Sequence, residues 1–261
     1  MIELVDVQLD HPRGGEPLLS GASLKVAKGE VVLIVGAAGV GTSRAVAATL
    51  GEVTASAGRI EVLGRDVGKL RRSSLRLLRR RIGIVPQDLC LLEDRSAQLN
   101  TMLPLEIDGI PRSMSIQRAH AALHRVGLDD EASLPVDCLS HAARQRVAVA
   151  RALVRDPELV IADHPTSMQD SEGTELVADA LADVALLGAA VLVFGRDMAL
   201  RANAERRGWR TLGLVRGMLK PLGEIRDIDD MLVDISPARP PEESIPNIVP
   251  FPLSARTAGV A

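Results

Sequence analysis

Residues Gly36, Ala37, Ala38, Gly39, Val40, Gly41, Thr42 and Ser43 form the first stretch of the chain whose residue types and spacing suggest chemistry. Glycines at these intervals let successive backbone N–H groups turn toward one anion, because no Cβ blocks the approach. The residues that follow, Arg44 to Leu50, have helical spacing and end at Gly51 in a C-cap position. A helix N-terminus adds partial positive charge at the same place, so the loop suits phosphate oxygens. Its pattern follows the phosphate-loop spacing G-x-x-x-x-G-K-[ST], except that Thr42 stands where the lysine belongs. Ser43 keeps the hydroxyl that would ligate Mg²⁺. A second feature is Asp163, which closes the apolar run ELVIAD over residues 158–163. A carboxylate at the C-terminal end of a buried strand lies where open α/β sheets bind ligands, and it would hold Mg²⁺ through water.

These groups must be positioned by elements that the sequence also marks. Segments 2–8 and 22–26 alternate apolar and polar, as half-buried strands do. Residues 31–35 are continuously apolar and β-branched, which fits a parallel strand buried on both faces. Further strands are expected at 59–63, 82–86 and 158–163, at the run AAVLVFG, and as a hairpin over 210–215 and 217–222 around Arg216 and Gly217. Helical spacing marks 71–81, most of 95–155, the run EGTELVADALADVALLG and the run RDMALRANAERRG. Strands alternating with helices imply a mainly parallel sheet covered on both faces. Between Ser236 and Leu253 six prolines break this pattern, so residues 228–261 read as a flexible, Pro-rich extension.

Composition narrows the function classes. A net charge of -3 over 261 residues gives no broad basic footprint, and three aromatic residues give no stacking platform, so nucleic acid is not an expected partner. The six arginines within 71–81 fit a solvated helix face, with anionic headgroups as the minor alternative. His120 and His124 are spaced i, i+4, yet no third ligand is near, so they read as a surface pair. Two cysteines without metal spacing suit a reducing cytoplasm. No apolar run reaches the roughly 20 residues of a membrane span, and the N-terminus has no basic leader, so any membrane role must pass through a partner.

With both phosphate-site features in order, the chain resembles the nucleotide-binding domain of the ABC ATPases over residues 1 to about 225. RRRIGIVPQD, residues 79–88, resembles the Q-loop strand with Gln87 as its glutamine. LSHAARQRVAVARAL, residues 139–153, resembles the signature segment and its helix, with Ser140, His141 and Ala142 at the signature positions. IADHPTSMQD, residues 161–170, resembles the Walker B and D-loop segment with Asp170 as the D-loop aspartate, and VLVFGRD, residues 191–197, resembles the H-loop segment. The resemblance implies an α/β P-loop core with N-terminal antiparallel strands and a helical subdomain at about 95–155, all within a domain spanning 1–227. It implies ATP and Mg²⁺ as ligands, with residues 36–44 on the nucleotide and Ser43, Gln87 and Asp163 on the metal. It also implies a homodimer or heterodimer, cytoplasmic and peripheral on the inner face of the membrane.

Within the family the start MIEL, the short N-terminal region and LLEDRSAQLN, residues 91–100, most resemble the cell-division branch, FtsE, which implies an FtsX-like membrane subunit. The lipoprotein-release and macrolide-export branches are similar. The departures carry as much weight. Thr42 replaces the lysine, His164 the glutamate after the Walker B strand, His141 and Ala142 the signature glycines, and Arg196 the H-loop histidine. Hydrolysis is therefore expected to be weak or lost. An active ATPase, or a scaffold that binds no nucleotide, are the alternatives.

Overall fold

The computed structural model describes residues 1–12, 14, 16–36 and 41–225. The extension expected at 228–261, the boundary at 227 and loop residues Ala37, Ala38, Gly39 and Val40 lie outside them.

Two sheets build the molecule. Strands β1 (Ile2–Leu9), β2 (Leu19–Val26), β4 (Ala57–Val62) and β5 (Arg65–Asp66) form an antiparallel sheet in the order β2-β1-β4-β5. Strands β3 (Val31–Gly36), β6 (Ile82–Val85), β7 (Leu159–Asp163), β8 (Ala190–Gly195), β9 (Arg210–Val215) and β10 (Met218–Pro221) form the second in the order β10-β9-β3-β8-β7-β6. Five of its strands run parallel, and β10 returns antiparallel to β9. The hairpin turn sits where expected: Arg216 and Gly217 have φ 48° and 77°, the left-handed pair that a tight two-residue hairpin turn requires.

The unbroken apolar strands follow from their place between two cores. Val31, Leu33 and Val35 of β3 enter one core with Val160, Ala162, Val191 and Val193. Val32 and Ile34 enter the other with Leu159, Ile161, Leu192 and Phe194. Alternate residues of one strand thus face different layers, and neither face is free to be polar. The second core is closed by the antiparallel sheet, by α1 (Thr42–Thr49) and by α2 (Arg72–Arg79). The first is closed by α3 (Ala97–Ile107), α4 (Arg112–Arg125), α5 (His141–Leu153), α6 (Ser171–Leu186) and α7 (Met198–Arg206).

Side-chain caps fix several helix starts. Ser96, Ser140, Asp170 and Asp197 accept hydrogen bonds from Leu99 N, Ala143 N, Gly173 N and Leu200 N at 2.7–3.2 Å. Close contact fixes the parallel sheet against α5. A Cβ on Gly83 would stand 2.3 Å from Ala152 O, so β6 and the end of α5 approach as only glycine allows. The arginine helix is a surface element. Leu75 and Leu78 are buried beneath it, Arg79 bonds Leu50 O, and Arg71, Arg72 and Arg76 are exposed.

Candidate functional site

Strands β3 and β8 deliver the end of the glycine loop and Arg196 to one edge of the parallel sheet, and β7 delivers Asp163 and His164. A cavity of about 480 Å³ opens there, lined by His11, Leu18, Thr42, Ser43, Arg44, Gln87, His164 and Arg196 among others. This is the carboxyl end of the strands, where doubly covered sheets place ligands.

Ser43, in the first turn of α1, organises the polar side. Its Oγ donates to Asp163 Oδ2 at 2.7 Å and lies 3.2 Å from Gln87 Oε1. A hydroxyl has one proton and cannot serve both acceptors at once. Asp163 is buried, and its Oδ1 has no hydrogen-bond partner among the described residues. Three side chains therefore present more acceptor oxygens than they have protons for, at a distance suited to a hard divalent cation. No group of three His, Cys, Asp or Glu side chains converges among the described residues. A cation here would rely on these mixed oxygens, water and the ligand's own oxygens, as Mg²⁺ commonly does.

His164 is held in a strained backbone. Its φ is 54°, a left-handed value that non-glycine residues seldom adopt. Its N–H donates to Phe194 O at 2.8 Å, and its carbonyl accepts from Gln145 Nε2 at 2.9 Å. Burial lowers the pKa of its imidazole; Asp163 opposes that shift and Arg196 adds to it. Nε2 stands 3.8 Å from Asp163 Oδ1. The ring is thus neutral near pH 7, beside the carboxylate and within the field of a guanidinium. Arg44 lines the same cavity, and its Nε is buried without a hydrogen-bond partner among the described residues.

Other expected site residues lie elsewhere. Ser140, His141 and Ala142 begin α5, and Asp170 precedes α6; none of them lines the cavity. Within this chain Ser140 and Asp170 act as helix caps. His124 is a surface residue bonded to Asp129 at 2.9 Å, and His120 is exposed, in line with the surface-pair reading.

Sequence reasoning missed the links behind the cavity. Gln145, buried in α5, donates to His164 O and Ser167 Oγ and accepts from Met168 N and Gln169 Nε2. Gln169 Nε2 also bonds Ala142 O at 2.9 Å, which ties the loop before α6 to the first turn of α5. Arg151 of α5 reaches Leu89 O and Cys90 O and thereby holds two consecutive left-handed residues, with φ 58° and 46°. A polar residue on the apolar face of α5 was the available signal for Gln145.

The profile of the ABC transporter family matches residues 19–167, more than half of the chain. The chain belongs to the ABC transporter family. The methionine import ATP-binding protein MetN of Rhizobium etli is 37% identical over 208 residues, covering 79% of this chain and 57% of that protein. MetN of Caulobacter vibrioides is 38% identical over 199 residues, covering 76% and 60%. The chain thus spans less than two thirds of these relatives. Among solved structures, a dimeric ATP-binding cassette in a post-hydrolysis state with ADP and Pi superposes with a TM-score of 0.76 at 27% identity, over 84% of this chain and 96% of that one. A part of the ABC transporter complex cbiONQ from Clostridium perfringens gives 0.72 at 25% identity, over 84% and 86%. These neighbours share the α/β ABC fold that the sequence indicated.

The family implies ATP, usually with Mg²⁺, and the cavity can be tested against both. The proton-poor oxygens of Ser43, Gln87 and Asp163 fit the cation. At the position where the sequence resemblance expects a carboxylate, His164 presents a half-buried imidazole whose pKa is lowered chiefly by burial.

Proposed function

We propose that this chain is the nucleotide-binding subunit of an ABC transporter that binds Mg²⁺-ATP and hydrolyses it very slowly or not at all. The observation that carries the reading is the split within one cavity. The cation-binding oxygens of Ser43, Gln87 and Asp163 are assembled, while His164 stands next to them in place of a carboxylate base. A bound Mg²⁺ would supply charge neutralisation on the phosphates. Ser43 and Asp163 would orient it, and Gln87 would hold a water or the metal itself.

Phosphoryl transfer depends on positioning and charge stabilisation. Loss of one preorganised donor costs roughly 10²–10³ in rate, and loss of a base or water-positioning group roughly 10²–10⁴. Thr42 and His164 remove one of each, and Cβ atoms at His141 and Ala142 crowd the surface that would close over a partner's nucleotide. A dimer of such domains on a membrane subunit is the assembly this reading calls for. The names of the curated relatives favour a transport complex over the cell-division complex with an FtsX-like partner that the sequence resemblance suggested.

The test is nucleotide titration followed by phosphate release with Mg²⁺-ATP, with Ser43→Ala as the control for contaminating ATPase. Binding with turnover below about 0.1 s⁻¹, under the low end of ordinary enzymes, supports the reading. Faster turnover that Ser43→Ala removes would establish an active ATPase instead, and absence of nucleotide binding would leave only a scaffold.

A further inference from the structure

The cavity brings Ser43 and Gln87, with Asp163 bonded behind Ser43, together with guanidinium groups from two separate elements. Arg44 comes from the first turn of α1, and Arg196 follows the last residue of β8. Arg44 Nε is buried with no hydrogen-bond partner among the described residues, although an orphaned buried donor is costly. Arg196 is half-buried and lines the same cavity as Arg44. An acyclic polyanion carrying its own Mg²⁺ resolves both sides of this arrangement. The metal meets the proton-poor oxygens, and the remaining anionic oxygens meet the arginines.

We infer that Arg44 and Arg196 form a phosphate clamp that supplies, from two new positions, the positive charge absent at Thr42. The inference rests on the nucleotide reading above. A guanidinium offers five N–H donors in a fixed fork and binds phosphate through two parallel bonds, so two arginines can replace one ammonium as a charge source. They do not replace it as a reaction partner, since planar forks at other positions fix the ground-state phosphates without following the transferred group. Among the described residues the cavity lining has no Phe, Tyr or Trp, and its aromatic rings are the small imidazoles of His11 and His164; Leu18 and Pro12 are its apolar residues nearest the chain start. Affinity in this site is therefore set mainly by the phosphates, and the base contributes little.

The experiment titrates Mg²⁺-ATP and Mg²⁺-tripolyphosphate into wild type, Arg44→Ala, Arg44→Lys and Arg196→Ala, each checked for an unchanged melting midpoint. Arg44→Ala and Arg196→Ala should each weaken both probes about tenfold or more, with Arg44→Lys intermediate, as expected for loss of a charge-assisted contact. Equal ATP affinity in wild type and both alanine variants overturns the clamp and leaves the nucleotide reading standing. Arginine-dependent binding of tripolyphosphate without binding of ATP keeps the clamp and removes the nucleotide reading. No binding of either probe to the wild type overturns both. Should Arg44→Ala fail to fold, Arg44→Lys and Arg196→Ala decide the matter alone.

Discussion

Strand β7 has ionisable side chains at both ends, and the two ends are built in opposite ways. Before it, Glu158 meets Arg81 in a two-pronged pair at 2.5 and 2.7 Å, on an exposed surface with both oxygens bonded. At its other end, Asp163 and His164 lie in or beside the cavity wall, one carboxylate oxygen has no hydrogen-bond partner among the described residues, and the histidine backbone is strained. Four apolar residues separate these environments. A paired, solvated charge closes the sheet against water. A buried, under-satisfied one is tolerated only where something else completes it. The contrast locates function at the carboxyl end of the sheet independently of any motif.

The comparison breaks most visibly in ligand binding. Asp163→Asn should lower Mg²⁺-dependent ATP affinity at least tenfold, whereas Glu158→Gln should leave it unchanged. Calorimetric titration with and without Mg²⁺ reads both. Equal losses in the two variants would mean that the ends differ in burial only.

Stability gives the next largest effect, through a third buried polar group. Asn100 is fully buried, yet its Oδ1 accepts from Leu92 N while its Nδ2 donates toward Leu92 O, Arg95 O and Ser96 O. Asn100→Ala leaves Leu92 N–H and Leu92 O without these bonds at the start of α3. It should cost about 3 kcal/mol in urea unfolding, in the range for a broken buried network. Asp163→Asn, which starts from an incompletely bonded group, should change stability by less than about 1 kcal/mol. The reverse order would show that the cavity is a structural core.

How much of this was legible in the sequence follows the same division. Strand β3 and strand β8 could be read because burial on both faces demands unbroken apolar runs. Ser43 and Asp163 could be read because their chemistry depends on local spacing. The apolar residues after Gln87 meet two fates: Leu92 is exposed, whereas Met102 is fully buried and Leu89 and Leu91 pack on the core. One-dimensional apolarity does not distinguish the two outcomes. Gln145, Gln169 and Arg151 were not legible, because their partners are backbone carbonyls brought close only by the fold. The sequence resemblance placed Ser140 in the signature and Asp170 in the D-loop, and capping in their own helices was the unread local role.

A smaller effect is expected from pH at the cavity end. His164 is packed among Asp163, Arg196 and Asp197, and burial, the largest influence, sets its folded pKa below the ordinary value near 6.5. The unfolded chain therefore binds the proton more readily. Stability is fully present above pH 6.5 and is lost as pH falls below it toward the folded value. Urea midpoints measured between pH 7.5 and 5.5 should decline, and His164→Gln should flatten that part of the curve. A slope unchanged by the substitution would assign it to other groups.

The smallest effect belongs to the opposite end of β7. The Arg81 hydrogen bond is the main reason that the Glu158 carboxyl titrates below its usual range, and burial works against it. A depressed folded pKa gives stability that is present above the unfolded value near 4.3 and lost as pH falls through the folded one, so this pair fails in a more acidic window than His164. Its size is limited by exposure: both side chains are nearly half accessible, and water and salt screen the attraction. A double-mutant cycle with Arg81→Gln and Glu158→Gln at pH 7 should give a coupling of about 0.5 kcal/mol, at the upper end only if the two-pronged geometry persists in solution. Raising the salt to 1 M should reduce it further, because the screening length then falls to roughly 3 Å. A coupling that survives both high salt and pH 3 would not be electrostatic. It would mean that Arg81 holds the edge of β6 against β7 by packing its stem, and the two ends of the strand would then differ in mechanism as well as in burial.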